Sequence, residues 1–373
     1  MKIGFDAKRL FNNFTGLGNY SRFVVNALAE FYPGNNYTLY TPKIKSNPDT
    51  EYFLNKKGIE IKSPKGLQKS FSSIWRSYSL GNIAANDSIK LFHGLSNELP
   101  LTKPGSLRTI VTIHDVIFKR YPEFYKPIDR VIYDWKFKKA CSNADKIIAV
   151  SQQTASDVIE FLNADSSKVQ TVYQGCHPIF KTSYSQEQVH QIKKKYNLPD
   201  EFILNVGTIE SRKNALIILK ALTLIKERIQ LVIVGRPTAY KDELIEFIAK
   251  NKLTDQVNLI HNAEFKDLPL IYRAANAFVY PSFFEGFGIP IIEAISSGIP
   301  VITSTGSCFS EAGGPDCWYV DPSQPEELAS AIQKVFTNDE AVRSRIEKSQ
   351  QYIKRFEPKV IADELMTIYK SLS

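Results

Sequence analysis

The stretch EFILNVGT, residues 201–208, is short and apolar and closes on a glycine and a threonine. It does in mid-chain what KIGFDA (2–7) does at the start. Each reads as a buried strand that feeds a loop and then a helical pattern. Working outward from 201, IQLVIVG (229–235), QVNLI (256–260), ANAFVYPS (275–282) and IPVITS (299–304) read as further strands. Helical patterns fall between and after them at about 213–226, 240–251, 266–275, 288–297 and 325–337. Continuous β-branched runs such as LVIVG mark strands covered on both faces, as in a parallel sheet. The first half alternates in the same way. NYTLYT (36–41), KLFHG (90–94), RTIVTIHDV (108–116), DKIIAVS (145–151) and VQTVYQG (169–175) are strands, with helices at 18–32, about 128–142 and about 152–163. The sequence therefore predicts an α/β protein of two Rossmann-like, doubly wound parallel-sheet domains facing a central cleft, spanning 1–180 and 181–357. The polar stretch KTSYSQEQVHQ (181–191) is the expected boundary, and a last helix after Pro358 (358–373) is not needed to finish the second sheet and is free to pack elsewhere.

Composition agrees with two soluble domains. The chain has 373 residues, 43% hydrophobic and 23% charged, too long for one typical core. A formal charge of +8 points to acidic partners: nucleic acid, an anionic membrane or phosphorylated substrates. Cys141, Cys176, Cys308 and Cys317 show no C-x-x-C spacing, so reduced thiols are expected rather than a disulfide framework or zinc ribbon. The histidines are scattered and no D-x-D pair occurs, so no metal site is expected. The N-terminus lacks the apolar core of a secretory signal, and no run of 18 apolar residues is present. A cytoplasmic protein is expected, with any membrane contact peripheral and at the inner face.

Ligands of open α/β sheets bind beyond the carboxyl ends of the strands, so the residues there carry the functional reading. NNFTGLGNYSR (12–22) follows the first strand, and Gly16 and Gly18 precede a helix whose N–H groups can face an anion. The alternative is a tight loop that needs glycine. A dinucleotide fingerprint is absent, since Ser21 stands where its third glycine belongs. His114, at the tip of the strand ending near Ile113, is suited to a substrate hydroxyl or phosphate, or to packing. In VGTIESRKN (206–214), Gly207 ends the strand and Arg212 and Lys213 open a helix. Two cations there oppose the helix dipole, so a shared anion is expected, and a diphosphate suits it.

FFEGFGIPIIEA (283–294) places Glu285 in a loop and Glu293 about a turn and a half into the next helix. Gly286, Phe287 and Gly288 lie between them. Carboxylates accept two hydroxyl hydrogen bonds at once, which suits a ribose diol or a sugar ring. A further anion-friendly loop, TSTGSCFSE (303–311), contains Ser307 and Cys308.

Taken together, G-L-G-N-Y (16–20), H-D (114–115), A-V-S (149–151), V-Y-Q-G (172–175), V-G-T-I-E-x-R-K-N (206–214), E-G-F-G-I-P-I-I-E (285–293) and V-I-T-S-x-x-S (301–307) resemble the retaining glycosyltransferases of family 4, with the GT-B fold. The resemblance spans essentially the whole chain. It implies transfer of a hexosyl group from a nucleotide diphosphate sugar to an acceptor hydroxyl, with no metal and no other cofactor. A glycan or lipid-linked glycan is the implied acceptor, in surface polysaccharide or lipopolysaccharide assembly. By the same resemblance Arg212 and Lys213 would bind the diphosphate, Glu293 the ribose, and Glu285 the transferred sugar. His114 would lie near the reacting centre, and Gly16 and Gly18 would line the phosphate and acceptor side. Ser307 and Cys308 would offer backbone N–H groups, with Gly207 and the 286–288 loop completing the donor site. The chain departs from the family in reading Phe309-Ser310-Glu311-Ala312 for L-P-E-V, and in Trp318, where a small aliphatic residue is frequent.

Rival readings are a GT-B-fold sugar-nucleotide epimerase, a phosphorylase, a nucleic-acid binder and an inactive partner subunit. The second needs a pyridoxal-phosphate lysine and a far longer chain, and the third has no recognition motif. The fourth conflicts with the intact Arg212, Lys213, Glu285 and Glu293. KSFSSIWRSYS (69–79) sets Phe71, Ile74, Trp75 and Tyr78 at helical spacing, and residues 118–140 mix aromatics with Lys and Arg. These stripes either face the core or touch an anionic membrane.

Overall fold

The structure, a computed structural model, describes residues 1–337 and 339–372. The chain divides into two compact units: Met1–Gly175 together with the segment from Phe356 onward, and Cys176–Arg355. The division falls just before the polar stretch expected to mark it.

Among the described residues, the first unit is built on a seven-stranded sheet. Its strands are β1 (Lys2–Asp6), β2 (Asn36–Tyr40), β3 (Ile59–Lys62), β4 (Leu91–Gly94), β5 (Arg108–Ile113), β6 (Lys146–Ala149) and β7 (Val169–Thr171). They lie side by side as β3-β2-β1-β4-β5-β6-β7, every pair parallel. The second unit repeats the plan with β8 (Phe202–Val206), β9 (Gln230–Val234), β10 (Val257–Ile260), β11 (Ala277–Tyr280), β12 (Val301–Ser304) and β13 (Trp318–Val320), ordered β10-β9-β8-β11-β12-β13. Each order reverses once, at β1/β4 and at β8/β11. The helices that follow the two strands then leave on opposite sides and open a crevice at the strand ends. The central strands are apolar throughout because helices cover both faces: Phe202, Ile203 and Leu204 are fully buried, as are Phe5, Val111 and Ile147.

The last helix, Pro358–Ser371, belongs to the first unit. It packs along the helix Gly16–Phe31 and buries Ile361, Leu365, Met366 and Tyr369. Proline at its first position suits a helix start, where the missing N–H has no intrahelical partner. Tyr32 Oη donates to Asp363 Oδ1 at 2.6 Å, and the Tyr369 hydroxyl meets His93 Nδ1 at 2.6 Å.

Several elements differ from expectation. β3 and β13 were not anticipated: each is a short edge strand whose few residues carry too little pattern. The supposed linker 181–191 runs into a helix, Gln186–Tyr196, started by a capping box in which Ser185 and Gln188 bond each other's backbone N–H. Only Ile192 of that helix is buried, so it has almost no apolar stripe to read. The helix Glu340–Tyr352 is similarly polar. All four cysteines are buried thiols. Trp318 packs in the core of the second unit with the Arg345 guanidinium 4.2 Å from its ring centroid, so this departure from the family pattern serves packing. No helix of the described residues is long and apolar enough to cross a membrane.

Candidate functional site

The crevice of the second unit gathers most of the residues singled out from sequence. Gly207 follows β8, and its carbonyl lies where Gly235, after β9, would carry a Cβ (1.7 Å), so the two strand ends meet too closely for a side chain. The chain then makes a tight 3₁₀ turn, Ser211–Lys213, before the α-helix Ala215–Leu224 begins. Arg212 and Lys213 were expected inside the first helical turn. They sit before it instead, because Asn214 adopts a left-handed conformation (φ 57°) and donates to the carbonyls of Pro281 and Pro322. This pins the turn against the loop after β11.

The anion that these cations share is Glu285. Lys213 Nζ lies 2.5 Å from Glu285 Oε1, and Arg212 Nη1 lies 2.9 Å from Glu285 Oε2 and donates to the Phe284 carbonyl at 2.6 Å. Arg212 Nη2 also reaches Glu210 at 2.7 Å. Tyr280, the last residue of β11, donates its hydroxyl to Glu285 at 3.0 Å and accepts from Lys213. Burial by itself would raise the Glu285 pKa. The Arg212 charge, and after it that of Lys213, outweighs burial and holds the carboxyl at about 2, so Glu285 is a permanent carboxylate.

Glu293 sits in the opposite regime. It lies in the helix Ile289–Ser296, which starts at Gly288 in the left-handed region (φ 104°), where a Cβ is strained. Among the described residues its side chain is hydrogen-bonded by the Tyr272 hydroxyl, which donates at 3.1 Å. Burial pushes its pKa up to about 7 against that hydrogen bond. The second unit thus carries two carboxylates of opposite character, one locked as an anion and one poised near neutrality. The tyrosines that serve them are linked through Phe278, whose ring centroid is 5.2 Å from Tyr272 and 5.7 Å from Tyr280. Sequence reading missed both tyrosines. Tyr280 was findable as the polar tip of a strand end, whereas Tyr272 sits in a helix with nothing to distinguish it.

Ser307 and Cys308, expected to present backbone N–H groups, follow β12. Their side chains grip the Glu285 backbone: Ser307 Oγ meets its N–H at 3.3 Å and its carbonyl at 3.1 Å, and Cys308 Sγ meets the same carbonyl at 3.2 Å. Phe287 is buried, while Gly286 between it and Glu285 is half-buried. Among the described residues no group of three or more His, Cys, Asp or Glu side chains is arranged to hold a metal ion.

The crevice of the first unit holds Gly16, Gly18 and His114. The helix Gly16–Phe31 begins after a loop in which Asn13 Oδ1 accepts from the N–H groups of Thr15 and Gly18, at 2.9 and 3.2 Å. The Gly18 amide is thereby engaged within the loop. A Cβ on Gly18 would lie 1.7 Å from the Asn13 carbonyl oxygen, whereas one on Gly16 meets nothing within 4 Å. Gly18→Ala is expected to cost about 3 kcal/mol or more, because backbone must move to admit the methyl. Gly16→Ala should leave the melting temperature nearly unchanged, and equal thermal melts for the two variants would refute the distinction.

His114 directly follows β5 and is buried. Burial lowers its pKa to about 4, against the hydrogen bond to Leu95, so the ring is neutral under ordinary conditions. Nε2 carries the proton, since it faces the Leu95 carbonyl at 2.9 Å, and the ring meets Tyr20 edge-on at 4.6 Å. The remaining nitrogen, Nδ1, is then an acceptor: it can take a hydroxyl hydrogen but cannot donate to phosphate. Behind it runs a buried chain that sequence reading did not find. Tyr20 Oη and Thr112 Oγ1 are 3.0 Å apart, Thr112 Oγ1 meets His93 Nε2 at 2.8 Å, and His93 meets Tyr369.

The family description "Glycosyltransferase Family 4" matches residues 14–178, and "Glycosyl transferases group 1" matches residues 186–352. The O-antigen chain mannosyltransferase B of Escherichia coli is 28% identical over 363 residues, 91% of each chain. The O-antigen chain mannosyltransferase RfbU of Salmonella typhimurium is 29% identical over 247 residues, 66% of this chain and 65% of that one. Among solved structures, that of Anabaena Alr3699/HepE in complex with UDP and glucose superposes over the whole of both chains with a TM-score of 0.75 at 17% identity, a likeness of fold.

Proposed function

This chain belongs to the glycosyltransferases of group 1 and family 4, and we propose that it moves a hexosyl group, with retention of anomeric configuration and without a metal ion, from a nucleotide diphosphate sugar to a hydroxyl of a glycan or lipid-linked glycan. The names of its mannosyltransferase relatives favour a mannosyl group and a role in surface polysaccharide assembly. The observation that carries the reading is the Arg212–Lys213–Glu285 cluster at the β8/β11 crevice.

Transfer breaks the bond between the anomeric carbon and the diphosphate and leaves the electron pair on phosphate oxygen. Stabilising that charge is the main catalytic demand. Arg212 and Lys213 are two fixed cations that supply it without a metal. Glu285, ionised at any ordinary pH, cannot give a proton, but it can accept from hydroxyls of the transferred sugar. Its two ion-pair partners also blunt it as a nucleophile. Retention then follows from attack on the face that the diphosphate leaves. The new bond forms from the acceptor oxygen to the anomeric carbon, and the acceptor proton passes to the departing phosphate oxygen. Glu293 and Tyr272 accept and orient the ribose. In the first unit, His114 Nδ1 accepts from a substrate hydroxyl.

The first test is a melt with UDP, GDP, ADP and dTDP, each with EDTA present. A saturating ligand at a hundredfold excess over Kd stabilises by about 2.7 kcal/mol. One nucleotide is expected to raise the transition despite EDTA, and its sugar should then yield a product of retained configuration by NMR. A shift that appears only with added divalent metal would overturn the metal-free reading. Trapping a glycosyl adduct on Glu285 would overturn same-face attack.

A further inference from the structure

Two apolar stripes of the first unit lie on its surface, and the transfer reading gives neither a task. In the helix Pro127–Asn143, the residues that enter the core are Phe137, Ala140 and Cys141. Ile128, Val131, Ile132 and Trp135 recur at i, i+3, i+4 and i+7 and stay in solvent; Ile128 and Val131 are 64% and 67% exposed and Trp135 is 54% exposed. Residues 71–78 repeat the pattern. Trp75 is buried, but Phe71, Ile74 and Tyr78 are each more than half exposed. Core packing therefore accounts for Trp75 and Phe137 and not for the stripes.

The two stripes flank one short segment. Glu98 pairs with both Arg76 and Lys136; Leu101 N–H donates to the Ser77 carbonyl at 2.7 Å, and Asn143 donates to the Leu101 carbonyl at 3.2 Å. The charge around them is basic. Lys65, Lys69, Lys126, Arg130 and Lys139 are exposed and have no ion-pair partner among the described residues, whereas Asp134 is neutralised by Lys119 and Lys138.

We propose that this surface docks the protein on an anionic phospholipid bilayer, with the stripe side chains in the interface and the unpaired cations on the headgroups. Exposed aliphatic residues, Trp135 and Tyr78 beside basic side chains are the composition that partitions into such an interface. A second copy of the chain would bring the same positive charge against itself, which favours lipid over self-association. The inference is independent of the transfer reading, since vesicle binding is measured without any sugar donor.

The test is flotation of the full chain with vesicles of phosphatidylglycerol and phosphatidylcholine, against phosphatidylcholine alone, with Trp fluorescence in parallel. The protein should float only with the anionic vesicles, and its emission should shift to the blue. Trp135→Phe should abolish the shift, because Trp75 and Trp318 are already buried. The pair Ile128→Ser and Val131→Ser lies at exposed positions, so its circular dichroism should match wild type, and it should weaken partitioning at least about tenfold, the scale set by returning large apolar side chains to water. Reversing Lys126, Arg130 and Lys139 to Glu should do the same. No flotation, or equal flotation of the serine pair, would overturn the proposal. So would a dimer in sedimentation velocity that the serine pair dissolves while vesicles go unbound.

Discussion

Glu293→Gln should stabilise the free protein at about pH 8 and weaken its hold on nucleotide. Burial raises the Glu293 pKa from 4.5 to about 7, so the folded protein binds its proton more tightly than the unfolded chain does. For a carboxyl shifted upward, the sign is fixed. Stability is highest below about pH 4.5, falls as pH rises toward about 7, and stays low above that. At about 1.4 kcal/mol per unit, the cost above neutrality is about 3 kcal/mol. Glutamine does not ionise and still accepts from Tyr272, so the variant escapes the cost. The gain should be several degrees in melting temperature at about pH 8 and near zero at about pH 5. The protein tolerates the cost because an ionised carboxylate holds two hydroxyls, and hydrogen bonds to a charged group contribute roughly 1.5–3 kcal/mol each. Nucleotide affinity should therefore drop on the order of tenfold or more in the variant. In the wild type it should also fall as pH drops below about 7, and in the variant it should not. Thermal melts at the two pH values and calorimetric titrations across neutrality check both halves. A variant less stable than wild type at about pH 8, or an unchanged pH profile of binding, would mean that Glu293 is an ordinary structural carboxylate.

The sequence carried the fold well where strands are buried on both faces. LVIVG and FILNV need no partner to be read, because an uninterrupted β-branched run has few other uses in a soluble chain. It failed for IEIK at 59–62 and WYV at 318–320, edge strands with three or four residues in which to show a period. It failed again for Gln186–Tyr196, where a helix is held by its cap and one buried isoleucine. The site divides along similar lines. Residues at strand ends were legible because topology places strand ends at the crevice; their partners were not. That Lys213 and Glu285, 72 positions apart, share a proton-scale contact depends on Asn214 turning the chain back on Pro281 and Pro322. That Ser307 and Cys308 brace Glu285 through its backbone, and that His114 is neutral, are consequences of burial and hydrogen bonding that no spacing encodes.

The Lys213–Glu285 pair separates structure from catalysis by a double substitution. Lys213→Met alone should lower kcat by on the order of 10²–10³, the effect of losing one preorganised donor to a developing anion. It should also destabilise, because a buried carboxylate loses one of its two cations, and breaking a buried pair costs about 3–5 kcal/mol when nothing replaces the partner. Glu285→Gln alone should destabilise by a similar mechanism, leaving Lys213 buried beside Arg212 with the neutralising charge gone. The two together remove one positive and one negative charge from the same place. Arg212 keeps Glu210 and the Phe284 carbonyl, so stability should recover most of the loss, as neutral replacement of buried pairs commonly allows. Activity should not recover, since the phosphate-facing charge and the sugar-facing carboxylate are both absent. Acid sensitivity gives an independent reading. A carboxyl held at about 2 contributes stability above about pH 4.5 that is lost as pH falls toward about 2. That contribution should be present in the wild type and missing in the double variant. If the double variant regained both stability and turnover, the ion pair would be scaffolding alone, and the catalytic cation would have to be sought in Arg212.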